Sequence, residues 1–232
     1  YPKMFETESL GLKILSESKA IRIPDVIGFG EYKNTSFLVL EFINTSNKKS
    51  NYWSEFGTKL AKIHKNTSSH FGLDYDNYIG SLPQSNNIHK NWTDFFINQR
   101  LRPLVKQSYN LNLTDKSFIN SFENLYSKLE IIIPREEPSL LHGDLWGGNV
   151  ITDENGEVCI IDPAVYYGHR EVDIAFSTMF GVFPSDFYSS YNELFPLQNG
   201  WKERINIFNL YPLLVHLLLF GTSYYSQIKS IL

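Results

Sequence analysis

The chain has 232 residues, of which 42% are hydrophobic, 20% charged and 15% aromatic. That composition describes a globular protein and excludes an intrinsically disordered one. A formal charge of −4 and a pI near 5.9, with no basic stripe, argue against nucleic acid as a partner. Cys159 is the only cysteine, so an intramolecular disulfide is impossible and a cysteine-based zinc site is not expected. Within the apolar run 158–161 it reads as a buried structural thiol.

The chain opens on Tyr1-Pro2-Lys3-Met4-Phe5 without an initiator methionine, so its beginning is expected to lie upstream. No signal-peptide pattern is present. The greasiest stretch, residues 210–220, is too short to span a bilayer and is interrupted by Pro212 and His216. A cytoplasmic protein with no membrane partner is expected.

Phe5, Leu10, Leu12, Ile14 and Leu15 give a helix-like apolar face, with Glu6 and Glu8 near its start, where acids suit the helix dipole. Residues 21–24 and 26–29 read as short extended pieces, broken by Pro24 and Gly30. Residues 37–43 are the strongest strand signal in the N-terminal third. The polar stretch 44–51 marks a lobe boundary. Residues 52–64 place Trp53, Phe56, Leu60 and Ile63 at helical spacing, residues 71–87 read as loop, and 91–106 and 116–132 are again helical. Residues 150–161 read as a hairpin around Asn155-Gly156, a strong two-residue turn signal. From Glu171 onward the pattern is mostly helical. Strands early and helices late predict an α+β fold with a small mixed lobe and a larger helical one.

The chemistry concentrates in His142-Gly143-Asp144-Leu145-Trp146-Gly147-Gly148-Asn149, which has the spacing H-x-D-x-x-x-x-N of a kinase catalytic loop. Asp144 is placed to accept the proton of an attacking hydroxyl. Asn149 offers an amide oxygen to Mg²⁺, a hard cation that prefers oxygen ligands. Gly147 and Gly148 permit tight backbone turns. Asp162 ends the apolar run 158–161, and the hairpin between returns the chain so that Asn149 and Asp162 converge. Phosphoryl transfer needs positioning and charge neutralisation more than covalent help, and one base with two oxygen ligands is a minimum kit.

These residues resemble a known family. Leu141 to Asn149, followed by Asp162-Pro163-Ala164-Val165-Tyr166-Tyr167-Gly168-His169-Arg170-Glu171-Val172-Asp173, is similar to the fructosamine kinase (ketosamine-3-kinase) family. That family belongs to the aminoglycoside-phosphotransferase-like branch of the protein-kinase-like fold. Met4-Phe5-Glu6-Thr7-Glu8, Pro83-Gln84-Ser85-Asn86 and Arg100-Leu101 resemble its other signatures, so the likeness covers nearly the whole chain. It implies a two-lobe kinase-like fold, with a partial N-terminal β-lobe over residues 1–43 and a C-terminal catalytic and acceptor-binding lobe over 44–232. It also implies ATP and Mg²⁺ as cofactors, and phosphorylation of the C3 hydroxyl of a small-molecule or protein-bound ketoamine, which repairs glycation. By the same match Asp144 is the base, Asn149 and Asp162 are magnesium ligands, and Glu41, Phe42 and Ile43 form the hinge that meets adenine. Glu8 matches the helix glutamate that pairs with the ATP-binding lysine; that lysine and the phosphate-covering loop lie upstream of Tyr1 in the family.

Several residues carry two readings. Trp146 either stacks on substrate or packs the lobe, and His169 and Arg170 either touch the sugar or its phosphate or make structural hydrogen bonds. Tyr166 and Tyr167 are candidates for the acceptor pocket. Asp173 is expected to brace the catalytic loop, His142 to hold it by hydrogen bonds, and His64 and His216 to be satisfied core or capping residues. Competing functions are a phosphotransferase for choline or an aminoglycoside, and a non-catalytic kinase-like binding module.

Overall fold

Helix α1 (Met4–Glu17) buries Thr7, Gly11, Leu12 and Leu15 along one face, while Leu10 points to solvent. The structure, a computed structural model, describes residues 3–232; Tyr1 and Pro2 lie outside the described residues. After α1 the chain runs extended to β1 (Val26–Tyr32), and on the way Ile160 donates its N–H to the Arg22 carbonyl at 3.2 Å. β1 pairs antiparallel with β2 (Thr35–Leu40). Lys33 and Asn34 join them with φ of 46° and 62°, the two left-handed residues that a tight hairpin turn requires. The strand expected over 37–43 therefore starts earlier and stops at Leu40. Beyond that pair the Glu41 N–H donates to the Asp25 carbonyl at 2.8 Å, and the chain leaves the sheet.

α2 (Tyr52–His64) follows the predicted bounds and buries Phe56, Leu60 and Ile63 completely. It packs closely on α7 (Ser185–Leu194), and the approach is possible because residue 57 is glycine. A Cβ there would collide with the Phe187 carbonyl oxygen and press on the Tyr191 amide. Both obstacles are backbone and cannot swing away. Gly57→Ala is expected to destabilise by about 1–3 kcal/mol, the usual cost of overpacking, read as a lower Tm.

Residues 71–87, expected as loop, contain the hairpin β3 (Asn77–Ile79) and β4 (Leu82–Gln84). Its deepest inward side chains include Asn77 and Gln84, so no apolar alternation advertised it. The helix expected over 91–106 is three pieces: α3 (Trp92–Phe95), a π-helical segment (Phe96–Leu101) and α4 (Arg102–Asn110). Pro103 has no N–H to continue a regular ladder. α5 (Lys116–Ile132) keeps its predicted bounds and is capped by Asp115, which accepts from the Phe118 N–H at 2.9 Å.

β5 (Ser139–Leu141) pairs with β8 (Tyr166–Gly168), and β6 (Val150–Thr152) with β7 (Val158–Ile160). The β6–β7 connection is not a two-residue Asn-Gly turn. Only Gly156 is left-handed there, and Asp153 Oδ1 closes a longer loop by accepting from the amides of Asn155 (2.9 Å) and Glu157 (2.8 Å).

α6 (Glu171–Phe176), α7, α8 (Trp201–Phe220) and α9 (Tyr225–Ile231) complete the α+β fold. α8 runs through Pro212 without a break; His216 Nδ1 lies 2.7 Å from the Pro212 carbonyl. Among the described residues, no helix is long and apolar enough to cross a membrane.

Two cores form. One lies among α3, α4, α5 and α8. The other joins Leu12, Leu15, Ile21 and Ile23 to Phe56, Leu60, Phe187, Val158 and Ile160, so the N-terminal segment shares its core with the helical part. Cys159 on β7 is fully buried, as expected, and burial pushes its thiol up to about 12.

Candidate active site

β5 delivers the chain into residues 142–149, and one buried carboxylate holds that entry. Asp173 accepts the N–H of His142 at 2.8 Å and of Gly143 at 2.9 Å. Its Oδ2 also meets His64 Nε2 at 3.1 Å, and His64 Nδ1 lies 2.7 Å from the Tyr191 hydroxyl. His64 is thus a satisfied core histidine, and Asp173 braces the loop. His142 accepts the Asp144 N–H at Nδ1 (3.3 Å), so its proton sits on Nε2, which donates to the Ile161 carbonyl at 3.0 Å. Burial lowers the pKa of His142 and keeps the ring neutral. Its work is to tie the loop to the segment just after β7 that carries Asp162.

The β6–β7 hairpin then returns the chain, and the Ile161 N–H donates to the Asn149 carbonyl at 3.1 Å. Asn149 Nδ2 donates to both Oδ2 and the carbonyl of Asp144, each at 2.9 Å, and lies 3.5 Å from the Asp162 carbonyl. Asp144, Asn149 and Asp162 therefore line one cavity of about 360 Å³, together with Thr7 and Glu8 of α1, Tyr78 of β3 and Trp146.

The cavity is electronegative. Burial, with the nearby charges of Asp162 and Asp173, pushes the Asp144 carboxyl up to about 7 against the lowering hydrogen bond from Asn149. Glu8 is raised to about 7 by burial and by Asp162. None of the three carboxylates forms an ion pair among the described residues. Three carboxylates and a carboxamide, all oxygen donors, fit a hard divalent cation such as Mg²⁺.

Gly147 and Gly148 lie in the tight 3-10 turn Gly147–Asn149, closed by the Asn149 N–H donating to the Trp146 carbonyl at 3.0 Å; neither is left-handed, and a Cβ on Gly148 would strike the Trp146 ring. That ring is half-buried at the cavity rim and meets Phe180 edge-on at 5.4 Å.

The other expected residues lie elsewhere. Glu41 pairs with Arg22 at 2.7 Å, Phe42 is 83% exposed and Ile43 is buried; none of the three lines the cavity. His169 and Arg170 are buried, and the structure does not bring them to Asp144. His169 Nε2 lies 3.3 Å from the Pro134 carbonyl. Arg170 is bound by both oxygens of Glu136 (2.7 and 2.8 Å) and by the carbonyls of Phe195 and Pro196, with its guanidinium 3.8 Å over the Phe195 ring. Glu171 is held by Arg204 at 2.6 and 2.8 Å. Glu136, His169 and Glu171 lie close enough to share a cation, but each carboxylate is already neutralised by a guanidinium. The cluster is an ionic brace, and neither His169 nor Arg170 lines the cavity that holds Asp144. Tyr166 is likewise fully buried, stacked on Phe95. Thr7 lies within the Met4–Glu8 string, whereas no local pattern marks Tyr78.

The family model for fructosamine kinase matches residues 1–232. The chain belongs to the fructosamine kinase family. Among curated relatives of this chain, a protein named as a probable ketoamine kinase in Enterococcus faecium is 38% identical, with 98% of this chain and 81% of that protein aligned. The protein-ribulosamine 3-kinase of Arabidopsis thaliana, a chloroplastic protein, is also 38% identical over 100% of this chain and 72% of its own length. Crystal structures described as "putative fructosamine-3-kinase" from Haemophilus somnus and Thermobifida fusca superpose with TM-scores of 0.90 each, at 33% and 32% identity, covering all of this chain and 79% of each. An aminoglycoside phosphotransferase solved with AMP-PNP and hygromycin B shares the fold, with a TM-score of 0.59 at 15% identity over 99% of this chain and 82% of that one. The protein is a kinase, and its family uses ATP.

Proposed function

We propose that the protein transfers the γ-phosphoryl group of ATP to the C3 hydroxyl of a sugar ketoamine, free or protein-bound. The observation that carries this is the convergence of Asp144, Asn149 and Asp162 on one cavity, in a chain whose relatives are named for ketoamine and ribulosamine phosphorylation.

Asp144 takes the C3 hydroxyl proton as that oxygen bonds to the γ-phosphorus. The bond from the γ-phosphorus to the β–γ bridging oxygen breaks, and ADP departs. Asn149 Nδ2 is spent on Asp144, which orients the base and leaves Oδ1 for Mg²⁺, with the Asp162 carboxylate as its second ligand. When bound, Mg²⁺ supplies neutralisation of phosphate charge. Glu8 adds negative potential beside Asp162. Trp146 at the rim offers a flat face to the acceptor. Residues 1–43 form the smaller lobe in this reading, with Glu41–Ile43 meeting adenine, and residues 44–232 the catalytic and acceptor-binding lobe.

Incubating the full-length protein with ATP, Mg²⁺ and fructoselysine or ribuloselysine should release ADP and form a ketoamine 3-phosphate. Turnover of choline or an aminoglycoside with no turnover of any ketoamine would overturn the assignment.

A further inference from the structure

Asp162 has φ of 51°, a left-handed conformation that a non-glycine residue keeps only where its surroundings over-determine it. The chain just after it is gripped from two sides. From the catalytic loop, the His142 carbonyl accepts the Ala164 N–H at 2.9 Å. From the β3–β4 hairpin, Asn77 Nδ2 donates to the Val165 carbonyl at 2.8 Å and Gln84 Nε2 to the Ala164 carbonyl at 3.2 Å.

Those two amides are themselves fixed. Asn77 Oδ1 accepts from Gln84 Nε2 at 2.8 Å and from Asn86 Nδ2 at 2.9 Å. Gln84 Oε1 accepts from the Tyr211 hydroxyl at 2.7 Å, and Asn86 Oδ1 from Arg100 at 2.7 Å. Arg100 is fully buried, yet among the described residues no carboxylate pairs with it. Its guanidinium donates to the Ser85 and Gln99 carbonyls and lies against the rings of Tyr166 (4.0 Å) and Phe95 (4.5 Å). A buried cation without a counter-ion is a costly way to hold a surface hairpin, and a core made for stability alone would be apolar at these positions. Arg100 Nε has no partner among the described residues, but the side-chain amides of Asn77, Gln84 and Asn86 are all bonded, and bonded buried networks specify a single geometry.

We propose that the network Arg100–Asn86–Asn77–Gln84 positions the metal ligand Asp162, by clamping the carbonyls of Ala164 and Val165 so that the left-handed turn cannot relax. Asn77 and Gln84 are positioning residues that act through the backbone after Asp162. The inference rests on the reading of Asp162 as a metal ligand.

The test is Mn²⁺ binding to the full-length protein with AMP-PNP, followed by electron paramagnetic resonance, which needs no turnover. Asn77→Ala should weaken Mn²⁺ binding about 10–100-fold, the usual effect of removing a group that orients a metal ligand. The Mg²⁺ concentration for half-maximal rate should rise in proportion, with KM for the ketoamine little changed. Gln84→Asn, a milder change that shortens one arm, should fall between wild type and Asn77→Ala and keeps the experiment decisive should Asn77→Ala not fold. Gly57→Ala, destabilised at a distance from the network, should bind Mn²⁺ like wild type. Equal binding by the network variants, or equal weakening by Gly57→Ala, would overturn the proposal. A wild-type protein that binds no Mn²⁺ would instead overturn the reading of Asp162 itself.

Discussion

Asp144→Asn should lower kcat by about 10²–10⁴-fold, the range a positioned general base contributes. That factor corresponds to roughly 3–5 kcal/mol of barrier. The substitution is nearly isosteric, and it removes a carboxyl that burial holds near neutrality, so folding should survive. The pH dependence carries a second signature. The base works only when ionised, so kcat/KM should be low below its pKa of about 7, rise through that value and level off above it. Asn has no such ionisation, and the residual activity of Asp144→Asn should lack this rising limb. Steady-state kinetics of both proteins across the pH range checks the result. An unchanged kcat, or an identical rising limb in the variant, would remove Asp144 from the base role.

Asp173→Ala should have the largest effect on stability. The carboxylate is fully buried and satisfies two backbone N–H groups and the His64 ring. Deleting it strands three donors in a place water does not reach. Breaking a buried charged group away from its partners costs about 3–5 kcal/mol, and for a chain of this size each kcal/mol moves Tm by roughly 2–4 °C. The loss should appear in thermal unfolding, together with a drop in kcat because the turn at His142-Gly143 no longer has an anchor. Burial alone would raise this carboxyl, but the hydrogen bonds from His64 and from the Gly143 N–H oppose it, and the pKa lies below the usual range. A depressed folded-state pKa gives stability that is present above the unfolded value of about 3.9 and lost as pH falls through the folded one. Wild type should therefore lose more stability than Asp173→Ala in that acid window.

Periodicity made α2 and α5 legible, because a helix whose one face is buried repeats its apolar residues every three to four positions. The catalytic loop was legible for a different reason. Asp144 and Asn149 sit on one short segment, so their spacing alone brings base and amide together. The β3–β4 hairpin was not legible, since Asn77 and Gln84 face inward with polar groups and imitate loop composition. Nor was the fate of His169 and Arg170. Their string is distinctive, yet the groups that absorb Arg170 are Glu136, Phe195 and Pro196, which come from separate elements and show no local spacing.

The sequence by itself determined the chemical inventory: a base, an amide and a carboxylate in an order that a hairpin can bring together. Only the tertiary structure decided the state and aim of those groups. Burial sets Asp144 near neutrality, Asp173 fixes the loop from α6, and the left-handed turn at Asp162 is gripped between the catalytic loop and the β3–β4 hairpin. Each of these depends on desolvation or on partners distant in the chain, and local spacing encodes neither.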